Sequence, residues 1–256
     1  MTTNQQVTYE NYLKTSMLLN LQQELSSPPH PDELIFIIIH QSHELWFKLV
    51  IHEIHRLLSC LDQNLIFECC KTLNRLNQIL KALCEQMNIL HTLSPDEFLG
   101  YRKELGSASG FQSHQYREVE FLFGLKDAKY LEKHTENTAI YNRLKEAMET
   151  KTVWERFLDL LSRNGPEFDK TQKSSILEAL VKVYSQRIEY SGVHFLCEAL
   201  IEVDTSLQLW RIRHFKNAEK TIGFKQGTGG SLGVEYLCNI SGRKLFPELW
   251  EIRTML

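Results

Sequence analysis

Leu34-Ile35-Phe36-Ile37-Ile38-Ile39-His40-Gln41-Ser42-His43-Glu44-Leu45-Trp46-Phe47-Lys48 is the stretch whose reading decides the fold class. By propensity alone its first six residues suit a buried strand, being rich in β-branched and aromatic side chains. A strand would have to end, and no turn signal separates those six from the run that follows. Just upstream, Pro31-Asp32-Glu33 places proline and two acids at a helix start, where a missing N–H costs nothing and negative charge meets the positive end of the dipole. The stretch is therefore predicted to be one helix running to about Leu58. Apolar residues cover most of its circumference, which predicts a central helix rather than a surface one.

The rest of the chain follows the same pattern. Glycine is absent before Gly100, and the only prolines in that region are Pro28, Pro29, Pro31 and Pro95, so long windows are left open for helices. Ser94-Pro95-Asp96-Glu97 and Thr152-Val153-Trp154-Glu155 are capping boxes that mark helix starts. Further helical windows run roughly over 65–90, 113–123, 130–148, 170–202 and 206–222, with a short one near 247–254. No alternating strand pair, repeat or linker interrupts them, and Asn164-Gly165-Pro166 is a turn too short to act as a boundary between domains. The expectation is an all-α helical bundle forming a single domain over residues 1–256.

Composition narrows the functional classes. A chain of 256 residues is large enough to enclose a sizeable cofactor. Its net charge of -3 arises from 29 basic and 32 acidic residues with no basic block, which argues against nucleic acid. The longest purely apolar run, Leu34 to Ile39, falls far short of the ~20 residues of a bilayer span, so no membrane is expected. Met1-Thr2-Thr3-Asn4-Gln5-Gln6 lacks the features of a secretory signal, which points to the cytoplasm. The six cysteines, at 60, 69, 70, 84, 197 and 238, form no C-x-x-C pair and read as reduced thiols.

Several residue pairs carry chemistry. Phe36 and His40 are four apart and share a helix face about 6 Å apart along the axis, an aromatic plate beside an imidazole. Phe98 and Arg102 repeat that spacing with a guanidinium suited to a carboxylate. Gly106 to Ser113 is a small-residue turn where backbone can lie close to a ligand. His214 lies on a helical window, and an imidazole there can bind a metal axially. It precedes by fourteen residues Thr228 of the loop Gly227-Thr228-Gly229-Gly230-Ser231-Leu232-Gly233. That loop matches neither phosphate motif: Leu232 takes the third glycine of G-x-G-x-x-G, and no lysine follows. It suits an amino or carboxylate group better than a nucleotide. A dinuclear carboxylate site in the bundle would need Glu-x-x-His twice, and the sequence does not supply that pair.

Taken together these segments resemble the tryptophan 2,3-dioxygenase family of haem enzymes. The likeness is carried by Tyr9-Glu10-Asn11-Tyr12-Leu13, Asp32 to Gln41, Glu44-Leu45-Trp46-Phe47-Lys48, Ser109 to Arg117, Trp210-Arg211-Ile212-Arg213-His214, Gly227 to Gly233 and Phe246-Pro247-Glu248-Leu249-Trp250, in that order. The resemblance implies haem b, with His214 as its proximal ligand and Ser109 and Gly110 lining its pocket. It implies that His40 hydrogen-bonds the indole N–H, Phe36 stacks beside the ring, and Arg102, next to Phe98, clamps the substrate carboxylate. Thr228 would contact the amino acid head group. Tyr9 and Tyr12, within an N-terminal segment of about residues 1–20, would reach into a neighbouring subunit's site in a homotetramer. The implied reaction inserts both atoms of O2 across the indole C2–C3 bond of L-tryptophan to give N-formyl-L-kynurenine, with His40 orienting rather than acting as base. Leu232, where the family usually has a second serine, and His43, at a position generally different in the family, bear on substrate choice. The alternatives are a haem monooxygenase of the same fold acting on a substituted indole, and a non-catalytic haem or tryptophan sensor.

Overall fold

The computed structural model of the chain describes residues 7–223, 225 and 233–256. Among them there is no strand: α1 (Tyr9–Leu13) and α2 (Thr15–Leu18) precede the long α3 (Glu33–Asp62) and α4 (Ile66–Leu90). Then come α5 (Pro95–Tyr101), α6 (His114–Phe123), α7 (Lys129–Glu132), α8 (Thr138–Glu149), α9 (Val153–Asn164) and α10 (Lys173–Ser185). α11 (Ser191–Ile222), α12 (Val234–Ser241) and α13 (Pro247–Glu251) close the chain, with 3-10 turns at Arg102–Leu105, Gly110–Gln112 and Ile252–Thr254. The fold is all-α, as the patterning predicts.

α3, α4 and α11 form the central layer, and α6, α8 and α9 pack around α3 and one another. One hydrophobic core runs from Phe47 through Leu83, Phe121, Phe157 and Leu200 to Ile252. α3 has the length and apolarity of a bilayer span by composition alone. Its inner face is buried, however, and its Glu53 side chain, 4% exposed, pairs with Arg75 of α4 at 2.8 Å. At its start Glu33 turns back to accept from the amides of Leu25 and Ser26 at 2.8 and 3.0 Å, which straps the preceding segment onto the helix. Both capping boxes form: Ser94 N–H donates to Glu97 at 2.6 Å and Thr152 N–H to Glu155 at 2.7 Å.

Two helix boundaries differ from those predicted. The window 130–148 is split, because the Asn137 side chain accepts from the Ile140 amide at 3.2 Å and starts α8 afresh. More consequential, the break expected between 202 and 206 is absent and falls instead at 186–190. Asp204, Thr205 and Ser206 look like capping residues, but each is engaged elsewhere. Asp204 Oδ2 accepts from Leu245 N–H (3.0 Å), Phe246 N–H (3.2 Å) and Trp250 Nε1–H (2.8 Å). Thr205 bonds back to Ile201 O at 2.8 Å and Ser206 reaches Asn77 at 2.6 Å. α11 therefore runs unbroken for 32 residues and carries His214 on the same rigid rod that anchors the C-terminal segment.

Candidate active site

α3, α11, α12 and the connection between α5 and α6 enclose a cleft of about 1540 Å³, counted out to its open mouth. Phe36, His40, Phe98, Arg102, Ser109, Gly110 and His214 all line it. Seven of the predicted site residues, drawn from segments up to 178 positions apart, are thus brought to one place. Thr228 and Leu232 lie outside the described residues. Tyr9 and Tyr12 do not line the cleft; they sit on α1, 76% and 75% exposed.

Three imidazoles face this space: His40 and His43 from α3 and His214 from α11. His40 Nδ1 lies 2.7 Å from Phe36 O. A carbonyl can only accept, so Nδ1 carries the proton and the neutral ring keeps Nε2 as a bare acceptor. Burial depresses the His40 pKa and holds it in that neutral form. The same device repeats one turn on. His43 Nδ1 lies 2.7 Å from Ile39 O, and burial pushes its pKa down to about 4. Its Nε2 is buried without a partner.

His214 is pushed down to about 4, by burial first and then by His40, His43 and Arg117. It makes no hydrogen bond among the described residues, and its ring stacks on Trp210 at 5.5 Å and 12°. The one-turn spacing on α11 produces that stack and fixes the ring plane. Phe36 lies 4.0 Å from the His40 ring, 5.7 Å from Phe98 and 6.0 Å from Tyr101, which makes an aromatic plate against the His40 imidazole. Arg102 ends α5 and opens the 3-10 turn, so it stands one turn beyond Phe98 on the same rim. A Cβ at Gly110 would meet nothing within 4 Å, so the rim is open there.

The opposite side of the cleft holds a charged network that sequence spacing did not single out. Arg211 Nε donates to Tyr116 OH at 2.8 Å, its NH1 to Arg243 O at 3.0 Å and its NH2 to Glu120 Oε1 at 3.3 Å. The other Glu120 oxygen accepts from Arg117. Arg117, Glu120 and Arg211 are each at most 5% exposed. The i, i+3 placement of Arg117 and Glu120 was the available signal, but it is shared by many surface pairs. Sequence marks His43 only as a departure from the family pattern; its burial depends on Phe47 and Trp210, whose rings lie 6.2 and 6.0 Å away.

Iron porphyrin requires an axial donor with a free lone pair and apolar walls for the macrocycle. His214, neutral and without a hydrogen bond, supplies the first, and Ile39, Phe47, Leu90, Leu237 and Ile240 supply the second. The residues present fit the group. Among the described residues no three His, Cys, Asp or Glu side chains converge as a separate metal site.

Comparison with known proteins agrees with this geometry. The sequence model of the family described as tryptophan 2,3-dioxygenase matches residues 2–176 and 163–256. A Xanthomonas campestris pv. campestris (strain B100) protein named tryptophan 2,3-dioxygenase is 39% identical, covering 97% of this chain and 87% of its own length. Its Xanthomonas euvesicatoria pv. vesicatoria (strain 85-10) namesake is 40% identical with the same coverage. The Myxococcus xanthus (strain DK1622) protein of that name is 40% identical over 97% of this chain and 89% of its own. A match extending through both the imidazole wall and the long helix that bears His214 places the chain in the tryptophan 2,3-dioxygenase family.

Proposed function

We propose that this chain is a haem-dependent tryptophan 2,3-dioxygenase. It inserts both atoms of O2 across the indole C2–C3 bond of L-tryptophan to give N-formyl-L-kynurenine, the first step of tryptophan catabolism by the kynurenine route. The observation that carries the reading is the gathering of Phe36, His40, Arg102 and His214 around one cleft in a chain of this family. When bound, haem b supplies the iron chemistry with dioxygen. Both oxygen atoms end in the product, so no external reductant is consumed per turnover.

The chain's own residues bind, orient and exclude water. His214, kept neutral by burial, holds the iron through one ring nitrogen. His40 spends its proton on Phe36 O, so its Nε2 can only accept, which is the complement of an indole N–H. Phe36 stacks beside the indole, and Arg102 takes the substrate carboxylate as a charged hydrogen bond. By the family resemblance Thr228, which lies outside the described residues, would contact the head group. Holding both ends of the substrate presents the C2–C3 bond in one orientation, the entropic component of catalysis. The family resemblance assigns His40 orientation before base catalysis, and burial, which lowers its pKa, makes the ring a weaker base.

Tyr9 and Tyr12 are exposed, together with Leu13, Met17, Leu19 and Leu21, more apolar surface than a solvated terminus requires. This supports a homotetramer in which the N-terminal segment covers a neighbouring subunit's cleft. Composition supports a cytoplasmic enzyme. The test is direct: load the protein with haem, reduce it, add L-tryptophan and O2, and follow the absorbance of formylkynurenine. No product from fully loaded ferrous enzyme rejects the proposal, and a product carrying one added oxygen atom points to a monooxygenase instead.

A further inference from the structure

Gly100 lies near the end of α5, two residues before Arg102, and the ring of His30 rests on its backbone. A Cβ at position 100 would stand 2.7 Å from His30 Nε2 and 2.9 Å from its Cδ2, well inside the separation at which unbonded heavy atoms repel. Gly100 is not among the glycines with positive φ, so its backbone conformation would suit any residue. The close approach of His30 is what requires glycine there.

His30 is not a loose side chain that could step aside. Its N–H donates to Ser26 Oγ at 2.8 Å, its Nδ1 accepts from Asp32 N–H at 3.2 Å, and Pro29 and Pro31 restrict the backbone on both sides. Ser26 gives its hydroxyl to Glu33, which is 1% exposed and also holds the amides of Leu25 and Ser26. On its other face the His30 ring meets Tyr101 at 5.1 Å. Tyr101, with no exposed surface, lies 5.4 Å from Phe98 and 6.0 Å from Phe36. A buried carboxylate at the start of α3 thus fixes a turn, the turn fixes an imidazole, and the imidazole bears on the end of α5.

We infer that His30 is a positioning residue for substrate binding: seated on Gly100, it sets where α5 ends and so where Arg102 meets the substrate carboxylate. The inference rests on the function proposed above and extends it to two residues that do not line the cleft. Arg102 opens the 3-10 turn that follows α5, so any shift or rotation of the turn before it is passed on to its side chain. A bidentate grip on a carboxylate is sensitive to such shifts, because both parallel hydrogen bonds must keep their geometry. The indole end is held from α3, by Phe36 and His40, and does not depend on where α5 stops.

The experiment titrates the haem-loaded, full-length chain with L-tryptophan and with tryptamine, which keeps the indole and the amine and lacks the carboxylate, and follows the haem spectrum. Gly100→Ala should weaken L-tryptophan binding at least about fivefold, part of what loss of a whole charged hydrogen bond costs, and tryptamine binding less than about twofold. In a His30→Ala background the same Gly100→Ala change should weaken L-tryptophan less than about twofold, because the methyl enters the space that the ring has left. Equal cost in both backgrounds overturns the inference, and so does equal weakening of the two ligands. Should tryptamine bind too weakly to measure, the cycle on L-tryptophan decides. Circular dichroism establishes that Gly100→Ala has folded; should it not fold, His30→Ala alone decides, with L-tryptophan weakened about threefold as the expected result and unchanged affinity as the overturning one. A wild-type chain that takes up haem and responds to neither ligand refutes the proposed function itself, whereas tight L-tryptophan binding with an additive cycle refutes only the role of His30.

Discussion

The two sides of the cleft keep their polar groups in opposite electrical states. On the α3 and α11 side, His40, His43 and His214 are all depressed in pKa by burial and stay neutral, each presenting a lone pair. Facing α6, Arg117 and the Arg211 of α11 are more deeply buried than His40 and His214 and stay charged, because Glu120 and Tyr116 meet them. Desolvation acts on both sides, and the difference is what lies within hydrogen-bond reach. Imidazole can shed its proton at modest cost, and a guanidinium cannot, so burial makes neutral ligands of the first and demands a partner for the second. Arg117 is even among the groups that depress His214, so the charged side helps keep the iron ligand deprotonated.

That contrast can be broken from either side. The largest effect is expected for His214→Ala, which removes the axial donor: haemin titrated into the folded variant should give no stable complex by absorbance. A spectrum like that of the wild type would falsify the assignment of the iron ligand. Glu120→Ala attacks the other side and leaves two buried guanidiniums unpaired, so unfolding in urea should reveal a loss of about 3–5 kcal/mol. An unchanged midpoint would mean that water reaches the arginines and the network is not dry. Arg102→Ala tests the rim where the two sides meet. By losing one charged hydrogen bond it should weaken L-tryptophan binding by about 1.5–3 kcal/mol, measured by spectral titration, with haem content unaffected. Equal affinity in that variant removes the carboxylate clamp.

Much of the imidazole side was legible in the sequence, and little of the charged side was. Phe36 with His40 and Phe98 with Arg102 are local i, i+4 pairs, so helical periodicity alone puts their side chains together, and the structure brings both pairs to the cleft. The Arg117–Glu120–Arg211 network depends on α6 meeting α11, a contact across 91 positions that no local pattern encodes. The misplaced helix break has the same origin. Asp204, Thr205 and Ser206 carry the composition of a helix cap, and only the fold reveals that Asp204 is spent on the C-terminal segment. Residues that bond at short range were readable, and residues whose partners come from distant helices were not. The glycine-dense loop around Thr228 falls outside the described residues, so its predicted role in the site stands on sequence.

The smallest effect is a pH dependence that separates the two sides without touching the cofactor. In the haem-free protein His43 is pushed down to about 4, against an ordinary value near 6.5, mainly by burial. Between those values the unfolded chain takes up a proton that the folded chain refuses, so stability rises with pH across that window and is lost on acidification. From pH 7 to pH 5 His43 alone should cost about 2 kcal/mol, with His214 acting in the same direction. The arginines contribute nothing there, since they titrate far above it. His43→Asn should therefore flatten the dependence of the urea midpoint on pH, whereas Arg117→Met should chiefly lower the midpoint and change the slope only slightly, through the small contribution of Arg117 to the depression of His214. If His43→Asn keeps the full wild-type slope, its imidazole is solvated in the folded chain, and neutrality on that side of the cleft owes nothing to burial at His43.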